Sequence, residues 1–287
     1  MLGKHLLGIY EKALPNGPSW KDTCAAAAGL GFDFVELSID ETEERIARLY
    51  WSAEERRAFR DAVYDSGMNL QTLCLSAHRR FPLGSADRRT REKAREILER
   101  AISFAGEFGV RAIQLAGYDV YYEASTPQTR EAFREGLAWA CDIAAKAQVM
   151  LSMEIMDTKL MSSVSRYLEF SRLLNSPWFT MYLDVGNLSG WLENNVMREL
   201  ELGCHEMIAV HIKDSIRETD TTPGVFKRVG FGTGCVDFQG IFGKLERLHY
   251  AGPYTIEMWC GETGDSLKTL REAKCFVEEQ FHLGVKA

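Results

Sequence analysis

The 287-residue chain lacks the features that mark several protein classes. No stretch has the length and apolarity of a transmembrane helix, and the N-terminus lacks the apolar run of a secretory signal. Its seven cysteines are scattered and odd in number, and none forms a Cys-x-x-Cys pair. This argues against a disulfide framework and a thiolate zinc site, and it favours a reduced, cytoplasmic setting. The net charge is −7 without a basic block, so nucleic acid and membranes are not expected partners.

What the chain does contain is a regular alternation of strand-like and helix-like segments. Eight short apolar runs, each typical of a buried parallel strand, lie at residues 5–10, 32–37, 70–75, 112–115, 149–155, 180–183, 207–212 and 254–258. Helix signals lie between them, such as the capping box that begins at Ser52 and the Thr126-Pro127 start. Eight strand–helix units predict an α/β fold, a single (β/α)8 TIM barrel that forms one domain over residues 1–287. An open doubly wound sheet is the competing fold, but no Gly-x-Gly-x-x-Gly follows the first strand.

Four residues that can bind a cation close four consecutive predicted strands, namely Glu154, Asp184, His211 and Glu257. Taken singly, each has an ordinary explanation: Asp184 could cap a turn, and His211 could be a satisfied core histidine. At neighbouring strand ends of one barrel they would converge on a point. Three buried carboxylates would repel one another strongly without a cation. The four residues therefore predict a site for Mn²⁺, Mg²⁺, Co²⁺ or Zn²⁺.

Other polar residues follow the same strand ends and are candidate substrate contacts: His78, Asn187, Lys213, Arg217, Lys227 and Arg228. The guanidinium of Arg217 could hold a hydroxyl or a phosphate, although a surface salt bridge would explain it equally well. The longest stretch without a predicted element, residues 215–236, contains a glycine-rich run whose N–H groups could bind a phosphate. Tyr10, Glu11 and Glu36 also fall near this rim of the barrel.

Nine segments together resemble one known family. They are Gly8-Ile-Tyr-Glu-Lys-Ala-Leu14, Phe34-Val-Glu-Leu-Ser-Ile-Asp40, Cys74-Leu-Ser-Ala-His-Arg-Arg-Phe-Pro-Leu-Gly84, Gln114-Leu-Ala-Gly-Tyr-Asp119, Glu154-Ile-Met-Asp-Thr158, Asp184-Val-Gly-Asn187, His211-Ile-Lys-Asp214, Gly232-Thr-Gly-Cys-Val-Asp-Phe238 and Gly252-Pro-Tyr-Thr-Ile-Glu-Met-Trp259. Over nearly its whole length the chain resembles the L-ribulose-5-phosphate / L-xylulose-5-phosphate 3-epimerases, also labelled hexulose-6-phosphate isomerases. That family lies within the xylose isomerase-like TIM-barrel superfamily.

The resemblance implies that Glu154, Asp184, His211 and Glu257 are the metal ligands and that Glu154 and Glu257 are also the catalytic acid/base pair. Two positions depart from the pattern of related ketose 3-epimerases. Asn187 replaces a residue that is often His, and Leu160 replaces a Glu, so Asp157 becomes a candidate substrate contact in its place.

The activity that the resemblance implies is the interconversion of L-xylulose 5-phosphate and L-ribulose 5-phosphate. A cation at O2 and O3 would polarise the C2 carbonyl, and the two Glu would remove and return the C3 proton through a cis-enediolate. We expect Zn²⁺, Mn²⁺ or Co²⁺ as the cofactor, a sugar phosphate as the small-molecule partner, a homodimer, and a role in L-ascorbate utilisation. Either the glycine-rich loop with Lys227 and Arg228, or the loop with His78 and Arg79, would hold the phosphate.

Four other functions are alternatives. A free-ketose 3-epimerase or an aldose–ketose isomerase could use the same metal centre, although an isomerase often needs a second metal. A metal-dependent apurinic endonuclease of the same superfamily would need more ligands and a basic surface, and the chain shows neither. Outside catalysis, the alternative is a sugar-phosphate-binding protein with a structural metal.

Overall fold

The computed structural model describes residues 2–15, 19–259 and 266–286, and within them eight parallel strands close into a barrel. These strands are β1 Leu7–Tyr10, β2 Phe34–Ile39, β3 Asn69–Leu75, β4 Ala112–Leu115, β5 Met150–Glu154, β6 Phe179–Asp184, β7 Met207–Ile212 and β10 Tyr254–Ile256. Around the ring their order is β1-β10-β7-β6-β5-β4-β3-β2. The predicted barrel is confirmed, and each predicted strand overlaps an observed one. That residues 1–287 form one domain stays a prediction.

Helices follow the strands and cover the outside of the barrel. They are α1 Trp20–Gly29, α2 Glu43–Ala47, α3 Ala53–Ser66, α4 Arg88–Phe108, α5 Pro127–Ala147, α6 Val164–Leu174, α7 Val185–Gly190, α8 Val196–Gly203, α9 Phe238–Arg247 and α10 Ser266–Gly284. The capping box at Ser52 is present, and Gly67 ends α3 in the left-handed conformation that glycine adopts without strain. Among the described residues, no helix is both long and apolar enough to span a membrane.

Polar side chains cross the interior of the barrel. Glu36 on β2 accepts hydrogen bonds from Thr72 on β3 and from Tyr182 on β6, and Tyr182 also bonds Thr255 on β10. Because side chains alternate along a strand, the residues between them point outward into the apolar layer beneath the helices. At Gly8 the interior is so crowded that a Cβ would lie 2.2 Å from the ring of Phe34. The barrel is therefore packed, and this polar network extends through its interior.

Residues 215–236 were predicted to lack regular secondary structure, but the structure contains strands there. This segment contributes most of an antiparallel pair formed by β8, Asp214–Ile216, and β9, Val225–Val229. These strands are short, and β9 is only partly buried, so their apolar periodicity is too weak to predict them. The pair places the end of β9 beside the carboxyl end of β7.

Candidate metal centre

The structure brings the four candidate ligands together. Glu154 and Asp184 are the last residues of β5 and β6, His211 lies near the end of β7, and Glu257 follows β10 directly. All four are buried, and one ligand atom of each lies within 4.8 Å of the corresponding atoms of the others. Parallel pairing of β6 with β7 sets Asp184 directly beside His211. The geometry therefore follows from the register of neighbouring strands.

A divalent cation fits this donor set. Nδ1 of His211 lies 3.2 Å from Oε1 of Glu154 and 3.9 Å from Oδ2 of Asp184 and Oε2 of Glu257. Three buried carboxylate oxygens and one imidazole nitrogen suit a hard or borderline metal ion, and thiolates are not required. These four residues could hold the ion, and Asp184 is fixed because its other oxygen accepts a hydrogen bond from the backbone N–H of Asn187.

Lys213, a predicted substrate contact, lies directly against the carboxylates of the cluster. Its ammonium nitrogen is 2.8 Å from Oδ2 of Asp184 and 2.8 Å from Oε2 of Glu257, and the side chain is buried. With a divalent cation bound, the ammonium would complete the neutralisation of the three carboxylates. A neutral cluster is the arrangement that burial favours.

The buried carboxyl groups differ in their pKa values. Burial, reinforced by the neighbouring carboxylate of Glu257, raises the pKa of Glu154. Burial also raises the pKa of Asp184, to about 7. Burial acts the same way on Glu257, but the ammonium of Lys213 and the imidazole of His211 outweigh it and lower the pKa to about 2. The pKa values of the two glutamates are therefore shifted in opposite directions by their different neighbours.

A cavity of about 250 Å³ opens onto the cluster. Glu154, Glu257 and Asn187 line it, and Trp259 and Tyr10 form part of its wall with ring centroids 6.3 Å apart. Besides Lys213, its basic lining residues are Lys12, Arg79, Lys227 and Arg228. Lys12 was not predicted, although its position two residues after β1 could have indicated it.

Three predicted substrate contacts lie elsewhere or are already paired. His78 is buried, with Nε2 3.2 Å from the carbonyl oxygen of Ala94, and burial lowers its pKa to about 4. The structure does not bring Arg217 to this cavity: its Nε donates to the carbonyl oxygen of Ser189, and it lines a separate pocket. Asp157 lies at the rim, where its carboxylate is 3.1 Å from the ammonium nitrogen of Lys227.

Two of the N–H groups that the glycine-rich loop was expected to offer a phosphate are already engaged. The backbone N–H groups of Gly232 and Gly234 donate to Oδ2 of Asp214, at 3.0 and 2.9 Å. A Cβ at Gly234 would lie 2.2 Å from Asp214 Oδ1, so the glycine permits this close approach. The loop is wrapped around a buried carboxylate, and the neighbouring Lys227 and Arg228 line the cavity.

Comparisons with known proteins agree with this geometry. A family model described as xylose isomerase-like TIM barrel matches residues 24–279. The UlaE protein of Escherichia coli strain K12, named L-ribulose-5-phosphate 3-epimerase, is 50% identical over 279 residues, which cover 97% of this chain and 96% of UlaE. A solved structure of L-ribulose 3-epimerase matches with a TM-score of 0.77 at 19% identity, over 98% of this chain and 96% of the other. A xylose isomerase-like TIM-barrel protein from Mycobacterium smegmatis in complex with magnesium matches with a TM-score of 0.74 at 16% identity, over 99% of each chain.

The fold and the buried cluster define a barrel enzyme with a candidate site for a divalent cation. The chain belongs to the xylose isomerase-like TIM-barrel family and, within it, to the family of L-ribulose-5-phosphate 3-epimerases. The predicted family is confirmed, and so is the predicted class of enzyme, an isomerase that acts as an epimerase. The two solved structures share the fold at low identity.

Proposed function

We propose that this enzyme inverts C3 of a phosphorylated ketopentose and interconverts L-ribulose 5-phosphate and L-xylulose 5-phosphate. The observation that carries the proposal is the placement of Glu154 and Glu257. They extend from strands separated by β6 and β7, and both reach the same imidazole nitrogen within one cavity. Inversion needs one group to take a proton and another to return one to the opposite face, and two carboxylates on different strands meet that need.

The division of labour follows from the surroundings of each carboxyl group. When bound, a divalent cation would polarise the C2 carbonyl and so make the neighbouring C3 proton more acidic. Glu257, held ionised by Lys213, accepts the C3 proton in one direction. Glu154, on the other side of the cluster, delivers a proton to the opposite face of the substrate. In the reverse reaction the two residues exchange roles.

We assign the phosphate to the basic side chains at the mouth of the cavity, Arg79, Lys227 and Arg228 together with Lys12. Each carries a charge suited to a phosphate, and a guanidinium can donate two parallel hydrogen bonds to it. Lys12 and Lys227 already contact the carboxylates of Asp40 and Asp157, so these bases are held in place. Phosphate contacts remote from C3 would supply binding energy that positions C3 between the two glutamates.

The identity of the metal is part of the proposal. The three carboxylates favour Mn²⁺ or Co²⁺, and the imidazole makes Zn²⁺ equally suitable. Dialysis against EDTA should inactivate the enzyme, and addition of Mn²⁺, Co²⁺ or Zn²⁺ should restore it. Unchanged turnover in protein shown by elemental analysis to be metal-free would contradict the metal centre.

The reaction itself is tested by incubating the purified protein with L-xylulose 5-phosphate in D₂O. We expect L-ribulose 5-phosphate that carries deuterium at C3, detected by NMR. Deuterium at C1 instead would indicate an aldose–ketose isomerase. Equal kcat/KM for L-xylulose and its 5-phosphate would indicate a free-ketose epimerase, and metal-dependent binding without product would indicate a binding protein.

The homodimer, the cytoplasmic location and the absence of nucleic-acid and membrane partners stay predictions. Sedimentation of the purified protein would test the first, since a dimer would have twice the 32.5 kDa mass of the chain.

A further inference from the structure

Glu36 is a buried carboxylate that the proposed reaction does not use. It lies on β2, which β1 and β10 separate from β7 around the ring, and it has no exposed surface. Its Oε1 is 2.6 Å from Nε2 of His211. The carboxylate therefore lies on the side of the imidazole opposite to the one that faces Glu154.

The other oxygen of Glu36 is fully engaged. Oε2 accepts hydrogen bonds from the hydroxyl of Thr72 at 2.5 Å and from the hydroxyl of Tyr182 at 2.7 Å. Because the Tyr182 hydroxyl donates to a carboxylate, its contact with Thr255 at 3.0 Å must be one in which Thr255 donates. This chain of hydrogen bonds runs from β10 through β6 to β2 and fixes which oxygen of Glu36 faces His211.

When a cation is bound at Nδ1 of His211, the arrangement leaves the proton of the ring on Nε2. A carboxylate can only accept, so Nε2 of His211 must be the N–H that donates to Glu36. In the neutral imidazole Nδ1 then has a free lone pair, and Nδ1 is the atom that faces Glu154, Asp184 and Glu257. The opposite tautomer would direct an N–H at the place of the metal and could not bind it.

A purely structural role does not explain this choice of residue. A carboxylate is costly to bury, and apolar side chains of similar volume often replace buried ion pairs with no loss of stability. Here side chains from three different strands donate hydrogen bonds to one carboxylate. The ring of Tyr182 also packs against that of His211, with centroids 4.4 Å apart, so the same group holds the imidazole from two sides.

We infer that Glu36, oriented by Thr72 and Tyr182, is a positioning residue that holds His211 with Nδ1 turned toward the metal. This inference rests on the proposed metal centre. Glu36 acts through His211 on metal affinity and does not contact the substrate. Partners of this kind on metal-binding histidines typically contribute about 10–100-fold to affinity.

The test is the affinity for Mn²⁺, measured by calorimetry on EDTA-treated protein. Glu36→Gln keeps the shape but can donate to Nε2, which favours the wrong tautomer, so we expect Mn²⁺ affinity to fall about 10–100-fold. At saturating Mn²⁺, kcat and the KM for the sugar phosphate should return close to their wild-type values.

Tyr182→Phe should weaken Mn²⁺ binding less than Glu36→Gln does. Thr180→Val, which removes a hydroxyl bonded to Ser152 in the same barrel, is the matched control and should leave the affinity unchanged.

A second measurement uses the wild-type protein and so does not depend on a variant that folds. In protein labelled with ¹⁵N-histidine and loaded with Zn²⁺, the Nε2 of His211 should keep its proton and Nδ1 should carry the shift of a metal-bound nitrogen. Zn²⁺ on Nε2, or equal Mn²⁺ affinity in the wild type and Glu36→Gln, would overturn the inference alone. A wild-type protein that binds no Mn²⁺ would overturn the metal centre and this inference together.

Discussion

Two buried histidines at opposite ends of the barrel show how similar local contacts give different roles. His5 precedes β1 at the amino end, and His211 lies near the carboxyl end of β7. Each is at most 1% exposed, and each has a glutamate at Nε2, Glu246 for His5 and Glu36 for His211. The difference lies at Nδ1. In His5 this nitrogen donates to the carbonyl oxygen of Gly252 at 2.9 Å, whereas in His211 it faces three carboxylates.

The surroundings of His5 indicate a structural clamp. Its ring lies among those of Tyr250, Tyr254 and Phe281, with centroids 5.1 to 6.0 Å away. Through Gly252 it connects the segment before β1 with the turn before β10, and these two strands pair to close the barrel. Both nitrogens of His5 have partners, so it needs no ligand. A buried histidine becomes a candidate metal ligand when one of its ring nitrogens faces several carboxylates, as that of His211 does.

The largest effect should come from the glutamates at the carboxyl end. We expect Glu154→Gln and Glu257→Gln each to reduce kcat by at least about 10²–10⁴-fold, because that is the contribution of general acid–base catalysis before any loss of metal binding. Kinetics on L-xylulose 5-phosphate would measure it, and circular dichroism would confirm the fold. Glu246→Gln at the other end of the barrel is the control and should keep its activity. Full activity in either of the first two variants would exclude a two-base mechanism.

The two histidines can be compared directly by His211→Ala and His5→Ala. His211→Ala removes the only nitrogen ligand of the cluster, and we expect it to abolish tight Mn²⁺ binding and with it activity. His5→Ala leaves the carbonyl of Gly252 without its buried donor, so we expect the free energy of unfolding to fall by about 1–3 kcal/mol with Mn²⁺ affinity unchanged. Urea denaturation and calorimetry separate the two outcomes. Loss of Mn²⁺ binding in His5→Ala would contradict this expectation and would show that the amino end of the barrel affects the metal site at its carboxyl end.

The contrast between His5 and His211 also shows which features of the site could be predicted from the sequence. His211 was identifiable because Glu154, Asp184 and Glu257 close neighbouring strands in the same way, and the register of a parallel barrel turns that repetition into proximity. The strands themselves were predictable from apolar runs, as was α3 from its cap at Ser52. These features depend on residues close together in the chain or on a repeated pattern.

Contacts between distant residues with no repeated pattern were not predictable. Glu36 was visible as an acid within a strand, but its partner His211 is 175 residues away. The glycine-rich run was interpreted as a source of N–H donors for a phosphate, and two of those N–H groups donate instead to the carboxylate of Asp214. His78 and Arg217 have the right chemistry at the right loops, yet which way a loop side chain turns depends on packing.

Substitution of the basic residues that line the cavity should lower activity less than substitution of the residues in the metal cluster. We expect Arg79→Ala and Arg228→Ala each to lower kcat/KM for L-xylulose 5-phosphate by about 10–100-fold, since a hydrogen bond to a charged group contributes about 1.5–3 kcal/mol. Activity on L-xylulose without phosphate should be unchanged by either substitution. Arg88→Ala, an exposed residue that pairs with Glu92 on α4, is the matched control. Equal losses on both substrates would show that these residues do not bind the phosphate.

The smallest effect on activity should come from a third buried histidine, His78. Burial lowers its pKa to about 4, from the usual 6.5, so between these values the unfolded chain binds a proton that the native protein does not. Stability should therefore fall as the pH drops from about 6.5 toward about 4, by up to roughly 3 kcal/mol from this group. His78→Gln cannot titrate and should flatten that part of the profile, as measured by urea denaturation at several pH values, while KM for L-xylulose 5-phosphate stays the same. A raised KM for L-xylulose 5-phosphate with an unchanged pH profile of stability would contradict this and would make His78 a substrate contact.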